Sequence, residues 1–174
     1  MWEVNMYYKN DEANEKALDT ILRKLPQAVA VIGGNAAHRE IRGTVKFYQA
    51  KHAVFVVADI LGLPAPDGDC QSPIFAFHIH GGASCEGDEQ DPFANAGTHY
   101  NPDNCPHPYH AGDMPPLFGV GGGAFLAFLT DRFTVNEILG KTVIIHDRPD
   151  DFTTQPSGNA GNKIACGVIS SVRR

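Results

Sequence analysis

No stretch of the 174-residue chain approaches the roughly 20 consecutive apolar residues that a membrane-spanning helix requires. That absence argues against a helical membrane protein. Positive charge is also short: 14 Lys+Arg stand against 20 Asp+Glu, a formal net charge of −6, and the basic residues are dispersed. Neutralising phosphates takes clustered Lys and Arg, so a general nucleic-acid binder is disfavoured. The opening residues, MWEVNMYYKNDEANEK, lack a basic segment, an apolar segment and a small-residue cleavage site. As written the chain is expected in the cytoplasm, and outside it if a leader has been trimmed away. Internal repeats and low-complexity tracts are missing too. With 43% hydrophobic residues the chain can bury roughly two thirds of its unfolded surface. A single domain with a real core is expected rather than a disordered chain.

Histidine and turn-forming residues are abundant. Of eight histidines, six (His78, His80, His99, His107, His110 and His146) fall in the central 69 residues. Gly 18 and Pro 12 are high for a helical protein and ordinary for short strands joined by turns. Residues 11–25 place Ala13, Ala17, Leu18, Ile21, Leu22 and Leu25 at three- to four-residue spacing, with acids in the first turn, Arg23 and Lys24 in the last, and Pro26 as a stop. This pattern predicts an amphipathic helix with charges that suit its dipole. From Gln27 the period changes to two. Strands are predicted at about 27–33, 41–48, 52–61, 73–80, 122–130, 141–146 and 164–170. A polar stretch of about 30 residues precedes 122–130, and the loop DRPDDFTTQPSGNAGN precedes the last strand. Loops beyond roughly 12 to 15 residues are usually functional or disordered, so both need a purpose. About eight strands and no long second helix imply a sandwich or barrel.

The chemistry lies where strands meet loops. His78 and His80 are i and i+2 on one predicted strand, so both imidazoles leave the same face and can reach one metal ion. An HxH pair alone is a weak signal. His99, His107, His110 and Asp113 then add three imidazoles and a carboxylate within 15 residues, a closed tetrahedral set suited to zinc. His146, ending another strand, can join His78 and His80 across the sheet. Imidazole-only ligation suits copper as well as zinc.

The segments FAFHIHGGASC, GTHYNP, HAGDMPPL, GKTVIIH and SGNAGNKIACGVI resemble the copper/zinc superoxide dismutase family in order and nearly in spacing, over about residues 27–170. The resemblance implies an all-β fold, an eight-stranded Greek-key β-barrel or immunoglobulin-like sandwich with two long functional loops. Residues 27–174 would form that domain and residues 1–26 an N-terminal helical extension. It implies copper held by His78, His80, His99 and His146, and zinc held by His99, His107, His110 and Asp113, with His99 bridging the two as a deprotonated imidazole. Asp150 would accept the remaining N–H protons of a copper ligand and a zinc ligand. Cys85 and Cys166 match the family's disulfide, which here closes a loop of about 80 residues. The chain-entropy model gives such a bond roughly 4 kcal/mol. The implied reaction is disproportionation of superoxide to oxygen and hydrogen peroxide by Cu(II)/Cu(I) cycling. His99 and Lys163 would be its catalytic residues and zinc the anchor of the bridge.

Several features depart from the family pattern. Lys163 stands where the family usually has its guiding arginine; it keeps a positive charge without the planar fork. Against a chain at −6, attraction of an anion must be local, with Lys163 at the floor of a funnel and Arg148 as a helper. Only Pro108 and Tyr109 separate His107 from His110, so the zinc loop is short. Cys70 and Cys105 lie outside the pattern, and a second disulfide between them would pin the zinc loop; free thiols or stray ligands are the alternatives. The N-terminal residues stand against carrying over the family's usual dimer, and a homo-oligomer fits without a defined pairing mode. The rival function is a non-catalytic copper/zinc-binding protein of the same fold, a copper carrier or a zinc-stabilised structural domain. A hydrolytic zinc enzyme fits less well, because it wants an open position where the His3Asp set is closed.

Overall fold

The computed structural model describes residues 24–65, 68 and 73–172. Nearly all of the helix expected over residues 11–25 lies outside them, as does Cys70. Among the described residues nine strands form: β1 (Ala28–Gly34), β2 (Arg42–Gln49), β3 (Val54–Leu61), β4 (Ile74–Phe75), β5 (Phe77–His80), β6 (Leu117–Phe118), β7 (Gly123–Thr130), β8 (Thr142–His146) and β9 (Lys163–Ser171). Seven make one antiparallel sheet in the order β5-β8-β9-β1-β2-β3-β7, and β4 pairs with β6. Every strand of the sequence reading is present, with ends displaced by a residue or two. Among the described residues no helix is long and apolar enough to cross a membrane.

Alternation explains the curl. Ala28, Ala30 and Ile32 of β1, Val45 and Phe47 of β2, and Val54, Val56, Ala58 and Ile60 of β3 all point to one interior. Phe77 and Ile79 of β5 and Val143 and Ile145 of β8 close it from the other end of the sheet. A sheet whose single apolar face must meet itself wraps into a barrel.

Two local features differ from the expected pattern. The segment predicted as one strand over 73–80 changes partners at Ala76, whose N–H donates to Arg148 O at 2.8 Å and whose carbonyl accepts from His146 N at 2.9 Å. The first half thereby pairs with β6 and the second with β8, which brings the two ends of the sheet together. Leu117–Phe118 carried no strand signal, being only two residues long and directly after Pro115-Pro116. A tight turn joins β6 to β7: Val120 and Gly123 exchange both backbone hydrogen bonds around Gly121 (φ 58°) and Gly122 (φ 78°). Positive φ at both central residues is the geometry that glycine supplies without steric cost. A one-turn helix, α1 (Val135–Ile138), starts at a capping box in which Thr134 and Glu137 satisfy each other's backbone N–H.

The outward face of β5, β8 and β9 is buried as well. Opposite the barrel interior, His78, His80, Thr142, Ile144, His146 and Cys166 are all covered. Their cover is the long loops, and Phe93 and Ala96 of the first loop pack on Ile144 and Cys166 beside Cys85. The Cys85–Cys166 disulfide, across 81 residues, fastens that loop to β9. Replacing both cysteines with serine should lower the unfolding free energy of the metal-free chain by roughly 4 kcal/mol in urea titration, whereas a loss below about 1 kcal/mol would show that the loop packing alone holds it.

Candidate metal centre

The six histidines converge because of strand geometry. His78 and His80 leave β5 on its outward face, and the first loop runs back along the free edge of β5 as an extra half-strand. Tyr100 N donates to Ile79 O at 2.8 Å and Ile79 N to Gly112 O at 2.9 Å. In this register His80 faces His99 and His78 faces Asp113. Facing residues share a side, so loop and strand ligands point to the same place. His146 arrives from β8 through an irregularity: Ile145 pairs with Ala165, but His146 pairs with Lys163, skipping Ile164. This bulge lets Ile164 and Ala165 both enter the core while Lys163 shares the side of His146.

Two sets result, each with donor atoms within 4.8 Å of one another: His78, His80, His99 and His146, and His99, His107, His110 and Asp113. His99 belongs to both. Its Nδ1 lies 2.7 Å from Asp113 Oδ1 and 3.3 Å from His110 Nδ1, while its Nε2 is buried with no partner among the described residues. His78 Nδ1 is likewise buried without a hydrogen bond, and His107 Nδ1, also buried without one, lies 3.1 Å from Asp113 Oδ2.

The opposite nitrogens are all engaged. His78 Nε2 donates to Asp150 Oδ2 at 2.8 Å and His107 Nε2 to Asp150 Oδ1 at 2.9 Å. His80 Nδ1 donates to Gly97 O at 2.8 Å and His146 Nδ1 to Gly161 O at 3.3 Å. That leaves His80 Nε2 and His146 Nε2 facing each other at 3.4 Å. Lone pairs that close repel unless a cation sits among them, and anchoring one imidazole nitrogen outward is how proteins aim the other at a metal. The residues present therefore fit two metal ions.

Burial reinforces this. Desolvation pushes His80 well below the usual histidine range and brings His146 to about 3; it also lowers His78 and His110. These imidazoles stay neutral, the form that binds metal. Burial pushes the Asp150 carboxyl up, but hydrogen bonds from His78, Phe152 N–H and His107 outweigh it and hold Asp150 at about 2. In Asp113 the same opposition, with His99 as the leading donor, also ends in a lowered value.

Other supporting residues carried no readable signal. Arg132, exposed just after β7, reaches with one Nη1 to the carbonyls of Pro108, His110 and Asp113 at 3.0, 3.2 and 3.3 Å. Gln155 of the second loop brackets the backbone of His107 through both amide atoms. Gly158 (φ 67°) passes so close to Asp150 that a Cβ there would collide with its carboxylate. Asn101 holds both the N–H and the C=O of Cys105, whose thiol is free among the described residues.

A cavity of about 340 Å³ opens onto the first set, lined by His80, His99, His146, Gly161 and Lys163 among others. Among the described residues Lys163 is its only Lys or Arg, and Arg148, expected as a helper, does not line it. Lys163 is not an isolated cation: its Nζ lies 2.5 Å from Asp91 Oδ2.

Replacing Arg132 with methionine should weaken zinc binding about tenfold in a chelator-competition titration, because three loop carbonyls lose their common donor. An unchanged affinity would mean that Asp150 and Gln155 hold the loop unaided.

Comparison with known proteins agrees with the site. Residues 41–169 match the family model described as copper/zinc superoxide dismutase. Superoxide dismutase [Cu-Zn] 2 of Aquifex aeolicus is 31% identical over 145 residues, 75% of this chain and 80% of the relative. Superoxide dismutase [Cu-Zn] A of Xenopus laevis is 31% identical over 159 residues, 82% of this chain and 96% of the relative. For the superoxide dismutase [Cu-Zn] of Photobacterium leiognathi the figures are 31% over 141 residues, 73% and 78%. Fold, donor sets and relatives agree, and the chain belongs to the copper/zinc superoxide dismutase family.

Proposed function

We propose that the chain is a superoxide dismutase, converting two superoxide anions and two protons into oxygen and hydrogen peroxide with copper and zinc as cofactors. The observation that carries this reading is His99, a single imidazole with one nitrogen facing each donor set. His78, His80, His99 and His146 would hold copper, and His99, His107, His110 and Asp113 zinc. When bound, copper supplies a one-electron couple and zinc a fixed positive charge. The catalytic domain is assigned to residues 27–174, with residues 1–26 as an extension.

The protein's own residues do the rest. Peroxide formation consumes protons, and His99, which lines the cavity, would hold one on Nε2 and release it. Asp150 fixes the tautomers of His78 and His107, so the nitrogens facing the metals carry no proton. Lys163 offers the approaching anion a positive charge at the cavity wall. A lysine docks an anion as a point charge, so turnover below that of a guanidinium-bearing site is expected.

Metal content after copper and zinc loading, measured with a disproportionation assay on the same sample, tests the reading. One copper and one zinc per chain with fast, salt-sensitive turnover is the expected result. Zinc alone, or both metals without turnover, would assign the fold to metal binding or stability instead. Lys163→Ala should lower the rate about tenfold at low salt and flatten its salt dependence. A rate that does not move would remove Lys163 from the reaction.

A further inference from the structure

Lys163 opens β9 with a side chain only 14% exposed, and both of its hydrogen bonds end on one short turn of the first loop. Nζ donates to Asp91 Oδ2 at 2.5 Å and to Phe93 O at 3.2 Å. Asp91 is itself fixed. Its Oδ1 accepts from Phe93 N at 3.1 Å, and its carbonyl accepts from Asp88 N and Ala94 N, each at 3.0 Å. The turn belongs to the loop that Cys85 ties to Cys166, three residues along β9 from Lys163. An ammonium has three N–H bonds, and two are committed to this turn, so one remains for an anion.

We propose that Asp91 is a positioning residue of the anion-docking site: it holds the Lys163 ammonium at the cavity wall and offsets part of the charge that an incoming anion meets. This rests on the reading of Lys163 as the docking group. A close carboxylate–ammonium pair acts as a dipole, whose field falls faster with distance than that of a lone charge. Such a site engages anions that reach Nζ and attracts distant ones less strongly than an unpaired ammonium would. Asp91 also couples the docking group to the loop bearing His99, since the turn at 91–94 and His99 lie on the same stretch beyond Cys85.

The test uses the full chain loaded with copper and zinc, with metal content checked for each variant, and azide as a small anionic probe. Azide binding is read from copper–azide absorption rather than turnover. Asp91→Asn keeps an acceptor for Phe93 N–H and for Nζ but removes the charge. It should bind azide about three- to tenfold more tightly at low ionic strength. The difference should vanish near about 1 M salt, where the screening length is about 3 Å. Asp91→Glu, which keeps the charge, should restore the parent affinity to within about twofold, and Lys163→Met should bind azide more weakly than the parent. Asp91→Ser, which can still cap Phe93 N–H, serves if the asparagine variant fails to fold. Unchanged or weaker azide binding in the charge-removing variant at low salt would overturn the proposal. Dismutation is assayed in parallel: a parent protein without turnover would defeat the proposed function, while the azide affinities would still decide the role of Asp91.

Discussion

Asp150 divides its carboxylate between a strand histidine and a loop histidine, and the geometry of the site depends on that division. One oxygen takes His78 Nε2 from β5 and the other takes His107 Nε2 from the first loop. Because each ring gives its proton to Asp150, each turns its bare nitrogen toward a metal set. The same carboxylate accepts from Phe152 N–H at 2.7 Å, so the second loop is folded around it as well. Strand and both loops are thus registered by one buried anion. The glycine at 158 follows from this, since only a residue without a Cβ can pass that carboxylate.

The disulfide and the small apolar cluster beneath it do a separate task. Three imidazoles on the outward face of a sheet, His78, His80 and His146, would ordinarily be wet, and exchange with water would weaken their hold on a metal. Phe93, Ala96 and Ile144 supply apolar cover around Cys166 and Cys85. Burial on both faces of β5 and β8 lowers the pKa of His78, His80 and His146 and favours their neutral, metal-binding form. The barrel core therefore supports the site only in part; the loops build a second, thinner core above it.

The strands and the ligand pattern were legible in the sequence because both depend on local spacing. Alternation marked seven strands, and the i, i+2 pair at His78 and His80 marked a shared face. Contacts between distant segments were not legible. Arg132 lies 19 to 24 residues from the carbonyls it joins, and no spacing rule connects them. Gln155 and Asp91 act across loops whose paths depend on the disulfide and on the turn geometry of many residues. The break at Ala76 was hidden because a strand that changes partners keeps its alternation. The pairing of Lys163 with Asp91 was not legible either, because the two lie 72 residues apart.

The bulge between Ile145 and His146 has a consequence for transplanting this site. Strict alternation through Lys163, Ile164 and Ala165 would turn the lysine toward the barrel interior, where a charge has no water and no partner. The skipped residue shifts the frame, sends Ile164 inward and brings the ammonium round to the histidines. A designer who copied the ligands and the lysine onto a regular strand pair would therefore obtain the metals without the docking charge. The portable unit is the interrupted ladder itself, with an aliphatic residue at its extra position.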